Sequence, residues 1–302
     1  MTGTAPVRID PVFVGQLECW RIRTPYGTGV MARQGAQLLS YETADGRQVV
    51  WLSEDARFER GVPVRGGVPV CWPWFGAYER NPQAVRDSVG APASAPAHGL
   101  VRVLDWDLVQ QQVRPDAAEL VYACDLPHGL GPWLHPTRLT LRAHFGRTVS
   151  LALSTHNAGT RPFTLSMALH TYLAVSDSRI VDIEGLNGLR CIDTTRGWET
   201  CIQEGPLTLE EETDRIYLGV DRPIVVRDPQ WQRKVTLVAR HSHSAVVWNP
   251  WIDKAARLRD FADDAWQRML CVETARIMDD VLTVAPGATE TVEVSIAVAE
   301  AD

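Results

Sequence analysis

The chain has 302 residues, of which 45% are hydrophobic and 22% charged, and its formal net charge is −7. This composition is typical of a globular protein with a sizeable core and excludes a wholly disordered chain. The negative charge argues against nucleic acid or an anionic membrane surface as the main partner. With no internal repeat or linker that divides it, we expect one domain over residues 1–302.

Alternation of apolar and polar residues predicts strands along the chain. Residues 39–52 contain Asp45-Gly46, a dipeptide that favours a hairpin turn. Residues 139–154 alternate on both sides of Gly146-Arg147, which predicts a second hairpin with one buried face. Residues 292–298 alternate in the same way. Helical periodicity is weak, and 19 prolines and 22 glycines interrupt the chain at short intervals. The pattern therefore predicts an all-β fold, a large antiparallel β-sandwich.

Cysteine usage and the absence of targeting segments indicate the compartment. No two cysteines are spaced as Cys-x-x-Cys, which disfavours zinc and thioredoxin-like redox sites. We expect all six to be free, buried thiols. No apolar stretch approaches the roughly 20 residues of a membrane span, and the first residues lack a signal-peptide core. We expect a cytoplasmic protein. The cysteines are Cys19, Cys71, Cys124, Cys191, Cys201 and Cys271.

Two runs, residues 65–76 (RGGVPVCWPWFG) and 98–102 (HGLVR), carry the clearest functional signal. The two glycines after Arg65 let the backbone approach a ligand and can form an anion-binding nest. Arg65 and Arg102 supply forked donors that suit phosphate. Trp72 and Trp74 offer flat faces for the apolar side of a sugar ring. Together these residues favour a phosphorylated sugar as ligand. The alternative is a buried tight turn with an aromatic core and two surface arginines.

Three further motifs follow in order, and the set of five resembles the hexose-6-phosphate mutarotases. This family, also called glucose-6-phosphate 1-epimerases, is a branch of the aldose 1-epimerase superfamily. The resemblance covers about residues 65–275. It implies a galactose-mutarotase-like supersandwich that interconverts the α and β anomers of hexose 6-phosphates, chiefly glucose 6-phosphate, without a cofactor. We expect a monomer. The three motifs are residues 168–172 (ALHTY), 247–251 (VWNPW) and 271–275 (CVETA).

Mutarotation requires a proton donor at the ring oxygen and a proton acceptor at the anomeric hydroxyl. A histidine suits the first role and a carboxylate the second. The resemblance implies that His170 is the general acid and Glu273 the general base. Taken alone, His170 in its apolar stretch is typical of a satisfied core histidine. Taken alone, Glu273 fits a structural ion pair with an arginine such as Arg276.

The resemblance also implies the groups that hold the substrate. Arg65 and Arg102 are expected to bind the phosphate, while His98 and Asp193 orient the sugar ring. Some family members carry Gln before this histidine, where this chain has Ala97. One polar contact to the substrate is therefore missing or supplied by another residue.

Several alternatives remain open from the sequence. One is an aldose 1-epimerase for unphosphorylated sugars, in which the arginines serve structure. Another is a non-catalytic carbohydrate-binding protein, against which the presence of both His170 and Glu273 argues. Trp248 either lines the pocket or anchors the core. Residues 210–214 (EEETD) are interpreted as a solvated turn. We expect no metal site, because the spaced pair His241 and His243 lacks a carboxylate or thiol partner.

Overall fold

A computed structural model describes residues 6–90, 92 and 95–301. Strands account for 49% of these residues and helices for 9%, which confirms the all-β prediction. The strands are β1 (Arg8–Val14), β2 (Leu17–Thr24), β3 (Gly27–Ala32), β4 (Leu38–Thr43), β5 (Gln48–Val50), β6 (Val70–Cys71), β7 (Asp107–Val113), β8 (Ala118–Leu126), β9 (Thr137–Phe145), β10 (Val149–Asn157), β11 (Phe163–Leu165), β12 (Met167–Leu169), β13 (Tyr172–Ala174), β14 (Asp182–Glu184), β15 (Arg190–Asp193), β16 (Glu199–Ile202), β17 (Thr213–Leu218), β18 (Ile224–Asp228), β19 (Arg233–Arg240), β20 (Ser244–Asn249), β21 (Met269–Arg276), β22 (Leu282–Val284) and β23 (Thr289–Glu300).

The helices are short. Two are α-helical, α1 (Gln83–Val89) and α2 (Trp251–Ala255). Four are 3₁₀ turns, at Tyr78–Arg80, Thr194–Arg196, Ala265–Arg268 and Met278–Asp280. Within the part of the chain that the structure describes, no helix has the length and apolar character needed to cross a membrane.

Two large antiparallel sheets form the body of the protein. The first has 13 strands in the order β1-β2-β3-β4-β5-β13-β21-β20-β17-β15-β16, with β12 paired to both β21 and β6. The second has eight strands in the order β14-β18-β19-β23-β10-β9-β8-β7. A two-stranded ladder joins β11 to β22. This arrangement is the antiparallel sandwich that the alternation predicts.

The predicted hairpins are confirmed because their signals are local. β4 and β5 pair across the turn at Asp45-Gly46. β9 and β10 pair with Phe145 opposite Val149, and the buried residues on both strands alternate with half-exposed or exposed ones. The last alternating run extends to the twelve residues of β23.

The two faces of the first sheet have different roles. Successive residues on a strand point to opposite faces. On β21, Leu270 and Val272 join the main core shared with the second sheet. Cys271, between them, packs on the other face with Trp51 and Tyr172. This outer face carries the candidate site.

One cysteine pair corrects the expectation of six free thiols. Cys191 and Cys201 lie directly opposite each other on β15 and β16 and form a disulfide, with Cα atoms 4.9 Å apart. The other four cysteines are free and buried. The pairing was invisible in the sequence because the two residues are ten positions apart, and only the hairpin between them brings them within bonding reach.

Candidate active site

A cavity of about 460 Å³ opens on the outer face of the first sheet. Five of the six residues proposed from the sequence line it, although they come from four separate parts of the chain. They are Arg65, His98, Arg102, His170 and Glu273.

The strand pattern explains the positions of the histidine and the carboxylate. Glu273 lies on β21 two residues from Cys271, so both side chains occupy the outer face. His170 lies where the apolar stretch breaks between β12 and β13, and its backbone N–H donates to the carbonyl of Pro69 at 3.0 Å. The His170 ring stacks on Tyr172, with centroids 4.8 Å apart and planes 11° apart. Packing therefore fixes the ring plane.

His170 and Glu273 form a close, buried pair. His170 Nε2 lies 3.3 Å from Glu273 Oε1. His170 is only 8% exposed and Glu273 only 1% exposed. Each also has a buried polar atom that finds no hydrogen-bond partner among the described residues, His170 Nδ1 and Glu273 Oε2. Buried polar atoms are usually satisfied, so these two indicate a place where a ligand or water completes the network.

Burial shifts both pKa values toward the neutral forms. Burial lowers the pKa of His170, and the positive charges of Arg102 and Arg65 lower it further. Burial raises the pKa of Glu273, with a smaller contribution from Asp214. A neutral imidazole beside a protonated carboxyl holds the same number of protons as an imidazolium beside a carboxylate. The pair can therefore exchange one proton internally without gaining or losing charge.

His98 presents a neutral donor to the cavity. The backbone N–H of Gly76 donates to His98 Nδ1 at 3.3 Å, and Cys71 Sγ lies 3.4 Å from the same nitrogen. An Nδ1 that accepts places the ring proton on Nε2. Burial, followed by the charges of Arg102 and Arg65, lowers the pKa of His98 to about 3. The His98 ring meets the His170 ring edge to face, with centroids 5.2 Å apart.

A glycine contact joins the two runs that the sequence singled out. The N–H of Leu100 donates to the carbonyl of Trp72 at 2.8 Å. Gly99 has a φ of +80°, and a Cβ added there would lie 2.0 Å from the Trp72 carbonyl oxygen. Only glycine allows this approach. The contact brings Arg102 to the cavity beside the first run.

The two arginines are free of ion pairs with carboxylates of the described chain. No carboxylate of the described chain forms a salt bridge with Arg65 or Arg102. Arg102 Nη2 donates to the carbonyl of Ala97 at 2.5 Å, and its buried Nε has no partner among the described atoms. Since Ala97 contributes its backbone oxygen, this contact needs no polar side chain at that position. Burial raises the pKa of the nearby Tyr172 phenol, and the charge of Arg65 acts in the opposite direction.

The predicted tryptophan platform is wrong for its two residues. Trp72 and Trp74 are fully buried, and the Trp72 indole N–H donates to Thr155 at 3.2 Å between the sheets. Aromatic cavity walls come from Phe75, Trp198 and Trp248 instead. Of the two interpretations of Trp248, the structure supports the pocket wall, because this residue shares the outer face with its cross-strand neighbour Cys271.

Asp193 does not line the cavity, contrary to the expectation that it orients a sugar ring. It lies opposite Arg215 in the β15–β17 ladder, and Arg215 Nε donates to its carboxylate at 2.9 Å. The Thr195 N–H donates to the same carboxylate at 3.1 Å. The neighbour of Asp193, Ile192, packs with the outer-face cluster. Strand alternation therefore turns Asp193 to the reverse face.

Asp214 lines the cavity in its place. It precedes Arg215 on β17, so its side chain points to the outer face. Burial raises its pKa, although Lys254 and a hydrogen bond from Thr194 act in the opposite direction. The interpretation of residues 210–214 as a solvated turn is wrong for this residue. The signal in the sequence was the spacing of Asp214 and Ile216. Two residues apart on one strand, their side chains point to the same face, and both line the cavity.

Comparisons with known proteins agree with this geometry. The aldose 1-epimerase family matches residues 18–297. A protein of Escherichia coli (strain K12) named "Putative glucose-6-phosphate 1-epimerase" is 34% identical over 276 residues, covering 89% of this chain and 87% of the relative. A protein of Cenchrus ciliaris with the same name is 30% identical, covering 84% of this chain and 76% of the relative.

Solved structures give the same result for the fold. The crystal structure of a "putative mutarotase" from Salmonella typhimurium superposes with a TM-score of 0.86 at 28% identity, covering 99% of this chain and 96% of the other. A galactose mutarotase-like protein from Clostridium acetobutylicum gives a TM-score of 0.77 at 13% identity, covering 98% and 99%. The second likeness concerns the fold alone.

Proposed function

The chain belongs to the aldose 1-epimerase family, and we propose that it interconverts the α and β anomers of hexose 6-phosphates, with glucose 6-phosphate as the leading substrate. One observation carries the proposal. The buried His170–Glu273 pair and two arginines without carboxylate partners line the same cavity. The names of the relatives support glucose 6-phosphate as the substrate to test first.

The pair can open and close the sugar ring by moving two protons. The Glu273 carboxylate removes the proton of the anomeric hydroxyl, and the His170 imidazolium donates a proton to the ring oxygen. The bond between C1 and the ring oxygen breaks, and a C1 carbonyl forms. The pair is then a neutral imidazole and a protonated carboxyl, which is the arrangement that burial favours. After rotation about C1–C2, both transfers reverse on the other carbonyl face.

The phosphate has a second effect besides anchoring. The charges of Arg65 and Arg102 lower the pKa of His170 and so oppose the imidazolium form. A phosphate dianion bound to the two guanidinium groups offsets this field, since opposite charges at close range cancel much of their effect on a third group. Phosphorylated substrates should therefore meet a better general acid than free sugars do.

Other cavity residues can hold the ring. His98 Nε2–H is a donor for a sugar hydroxyl, because its Nδ1 already accepts from Gly76. Asp214 is a cavity-lining carboxyl outside the His170–Glu273 pair, and we assign it the ring contact first expected of Asp193. Phe75 and Trp248 offer apolar surface to the sugar faces.

The test is an anomer-resolved NMR exchange assay with glucose 6-phosphate and glucose. We expect Arg65→Ala and Arg102→Ala each to lower kcat/KM for glucose 6-phosphate by one to two decades. This corresponds to the loss of about 1.5–3 kcal/mol from one charge-assisted contact. Exchange of glucose should be largely spared. Arg142→Ala is the matched control, because Arg142 lies on β9 of the second sheet and is paired with Glu119.

Two outcomes favour the alternatives. A wild-type preference for free glucose, or equal loss of both activities in the arginine variants, supports a neutral-sugar epimerase with structural arginines. If the protein binds the sugars but anomer exchange of every sugar is no faster than in buffer alone, the result supports a non-catalytic carbohydrate-binding protein.

A further inference from the structure

A third side chain, Cys271, lies beside the His170–Glu273 pair and takes no part in the proton transfers. The Cys271 sulfur, a nitrogen of His170 and a carboxylate oxygen of Glu273 all lie within 4.8 Å of one another. We propose that these three residues form a binding site for a thiophilic divalent cation such as Zn²⁺, and that the bound cation blocks the active site. The blocking effect rests on the proposed function, whereas the binding itself does not.

The spacing of the donors fits a tetrahedral ion. Zn²⁺ binds histidine nitrogen at about 2.0–2.1 Å and carboxylate oxygen at about 2.0–2.2 Å, so two such ligands lie roughly 3.3–3.5 Å apart. The distance between His170 Nε2 and Glu273 Oε1 is 3.3 Å. Cys271 is two residues from Glu273 on β21, so its side chain points to the same face. Its sulfur lies within 4.8 Å of the other two donor atoms and has to move closer to them to complete three tetrahedral positions.

The polar atoms at this place are buried and incompletely paired. Cys271 is 0%, Glu273 1% and His170 8% exposed. Glu273 Oε2 is buried without a hydrogen-bond partner in the described chain. A carboxylate oxygen in that situation gains a partner when a cation binds, which favours occupancy.

The chemical nature of the donors selects the ion. One thiolate, one imidazole and one carboxylate match Zn²⁺, Co²⁺ and Cd²⁺, whereas Mg²⁺ and Ca²⁺ require an all-oxygen shell. Three protein ligands leave the fourth position open toward the cavity for water or a sugar hydroxyl. Arg65 and Arg102 line the same cavity and repel a cation, so binding to the free enzyme should be weaker than in a dedicated zinc site.

Binding would remove both catalytic groups from the reaction. The cation occupies the His170 lone pair that must take up a proton and the Glu273 oxygen that must accept one. The Cys271 thiol, and the Glu273 carboxyl when protonated, each release a proton to solvent as the bonds to the cation form. Affinity should therefore increase with pH.

Direct binding is tested with Co²⁺, which needs no turnover. We expect a sulfur-to-cobalt charge-transfer band in the near-ultraviolet spectrum of wild type. The band should be absent in Cys271→Ala and Cys271→Ser and retained in Cys124→Ala. Cys124 is the matched control, a free, buried thiol on β8 of the second sheet. Lack of the band in wild type, or its persistence in both Cys271 variants, overturns the site.

The effect on turnover is tested with Zn²⁺ in the exchange assay, each protein relative to its own rate in EDTA. We expect reversible inhibition of wild type that EDTA relieves. The Cys271 variants should need at least ~10-fold more Zn²⁺ for the same inhibition. Loss of a residue that only hydrogen-bonds a metal ligand already weakens metal binding by about 10–100-fold. Activation by Zn²⁺, or equal inhibition of wild type and the Cys271 variants, contradicts the inhibitory site. If no protein exchanges anomers but the cobalt band behaves as expected, the cation site stands and the proposed function fails.

Discussion

Two groups of buried polar residues lie on opposite faces of the first sheet, and they differ in how they are paired. On the reverse face, Arg215 and Thr195 donate to the Asp193 carboxylate, at 2.9 and 3.1 Å. On the outer face, His170 and Glu273 each have a buried atom with no partner among the described residues. A polar group that is satisfied within the protein supports the fold. One that is buried and unsatisfied beside a cavity is placed for a ligand.

The pKa shifts of three carboxyl groups differ between the two faces in the same way. Burial acts to raise the pKa of Asp193, but hydrogen bonds from Thr195 and Arg215 overcome it, and the pKa is lowered overall. Burial raises the pKa of Asp214 and of Glu273, whose environments lack a comparable guanidinium bond. Two of these residues, Asp193 and Asp214, lie on neighbouring paired strands. Strand alternation alone assigns one to structure and the other to the cavity.

The largest expected effect comes from removing an unpaired group. We expect His170→Ala and Glu273→Gln each to lower kcat for glucose 6-phosphate at least ~100-fold, the usual scale for one positioned acid or base. Anomer exchange by NMR gives the rate, and circular dichroism checks that each variant is folded. A folded variant with a near-normal rate removes that residue from the mechanism.

A paired comparison of the two aspartates should separate stability from activity. Asp193→Ala leaves Arg215 without its carboxylate partner, so we expect the free energy of unfolding to fall by about 2 kcal/mol. Asp214→Ala should change stability little but lower kcat/KM by about tenfold, the scale of one hydrogen bond to substrate. Urea denaturation and the exchange assay measure the two quantities.

The opposite pattern would reverse the assignment. If Asp193→Ala is stable but loses substrate affinity, and Asp214→Ala is unstable with normal kinetics, the reverse-face aspartate contacts the sugar after all.

The smallest effect concerns the pH dependence of stability. The raised pKa of Glu273 means that the native state keeps a proton that the unfolded chain releases above its ordinary value of 4.5. The free energy of unfolding of wild type therefore falls as pH rises above that value, by at most about 1.4 kcal/mol per pH unit from this group. Glu273→Gln lacks this pH-dependent contribution to the free energy of unfolding. Its stability relative to wild type should increase between pH 5 and pH 8.

Urea denaturation across that pH range checks this expectation, with Glu199→Gln, at an exposed strand position, as the control. The lowered pKa of His170 has the opposite sign and weakens the native state as pH falls below its ordinary value of 6.5, in both proteins. A relative stability of Glu273→Gln that stays constant or decreases with pH would show that the native His170–Glu273 pair does not retain this proton.

Much of the fold could be predicted from the sequence because its signals are local. The turn at Asp45-Gly46 and the alternation on either side of Gly146 each involve neighbours in the chain, and both hairpins form as expected. The family resemblance is confirmed by the match over residues 18–297. The catalytic roles, the single domain, the monomeric state and the cytoplasmic location stay predictions.

The predictions that were wrong depend on contacts between distant parts of the chain, which no local sequence pattern indicates. The disulfide between Cys191 and Cys201 depends on the register of β15 with β16. The burial of Trp72 depends on the second sheet, from which Thr155 accepts its indole N–H.

The sequence by itself determined which groups are available for chemistry, namely a histidine and a glutamate in apolar surroundings and two arginines near glycine-rich turns. Only the tertiary structure decided which of them face the same cavity. A shift of one residue in strand register moves a side chain to the other face of a sheet. That register follows from pairing between distant strands, and here it turns Asp193 toward Arg215 and Asp214 toward the cavity.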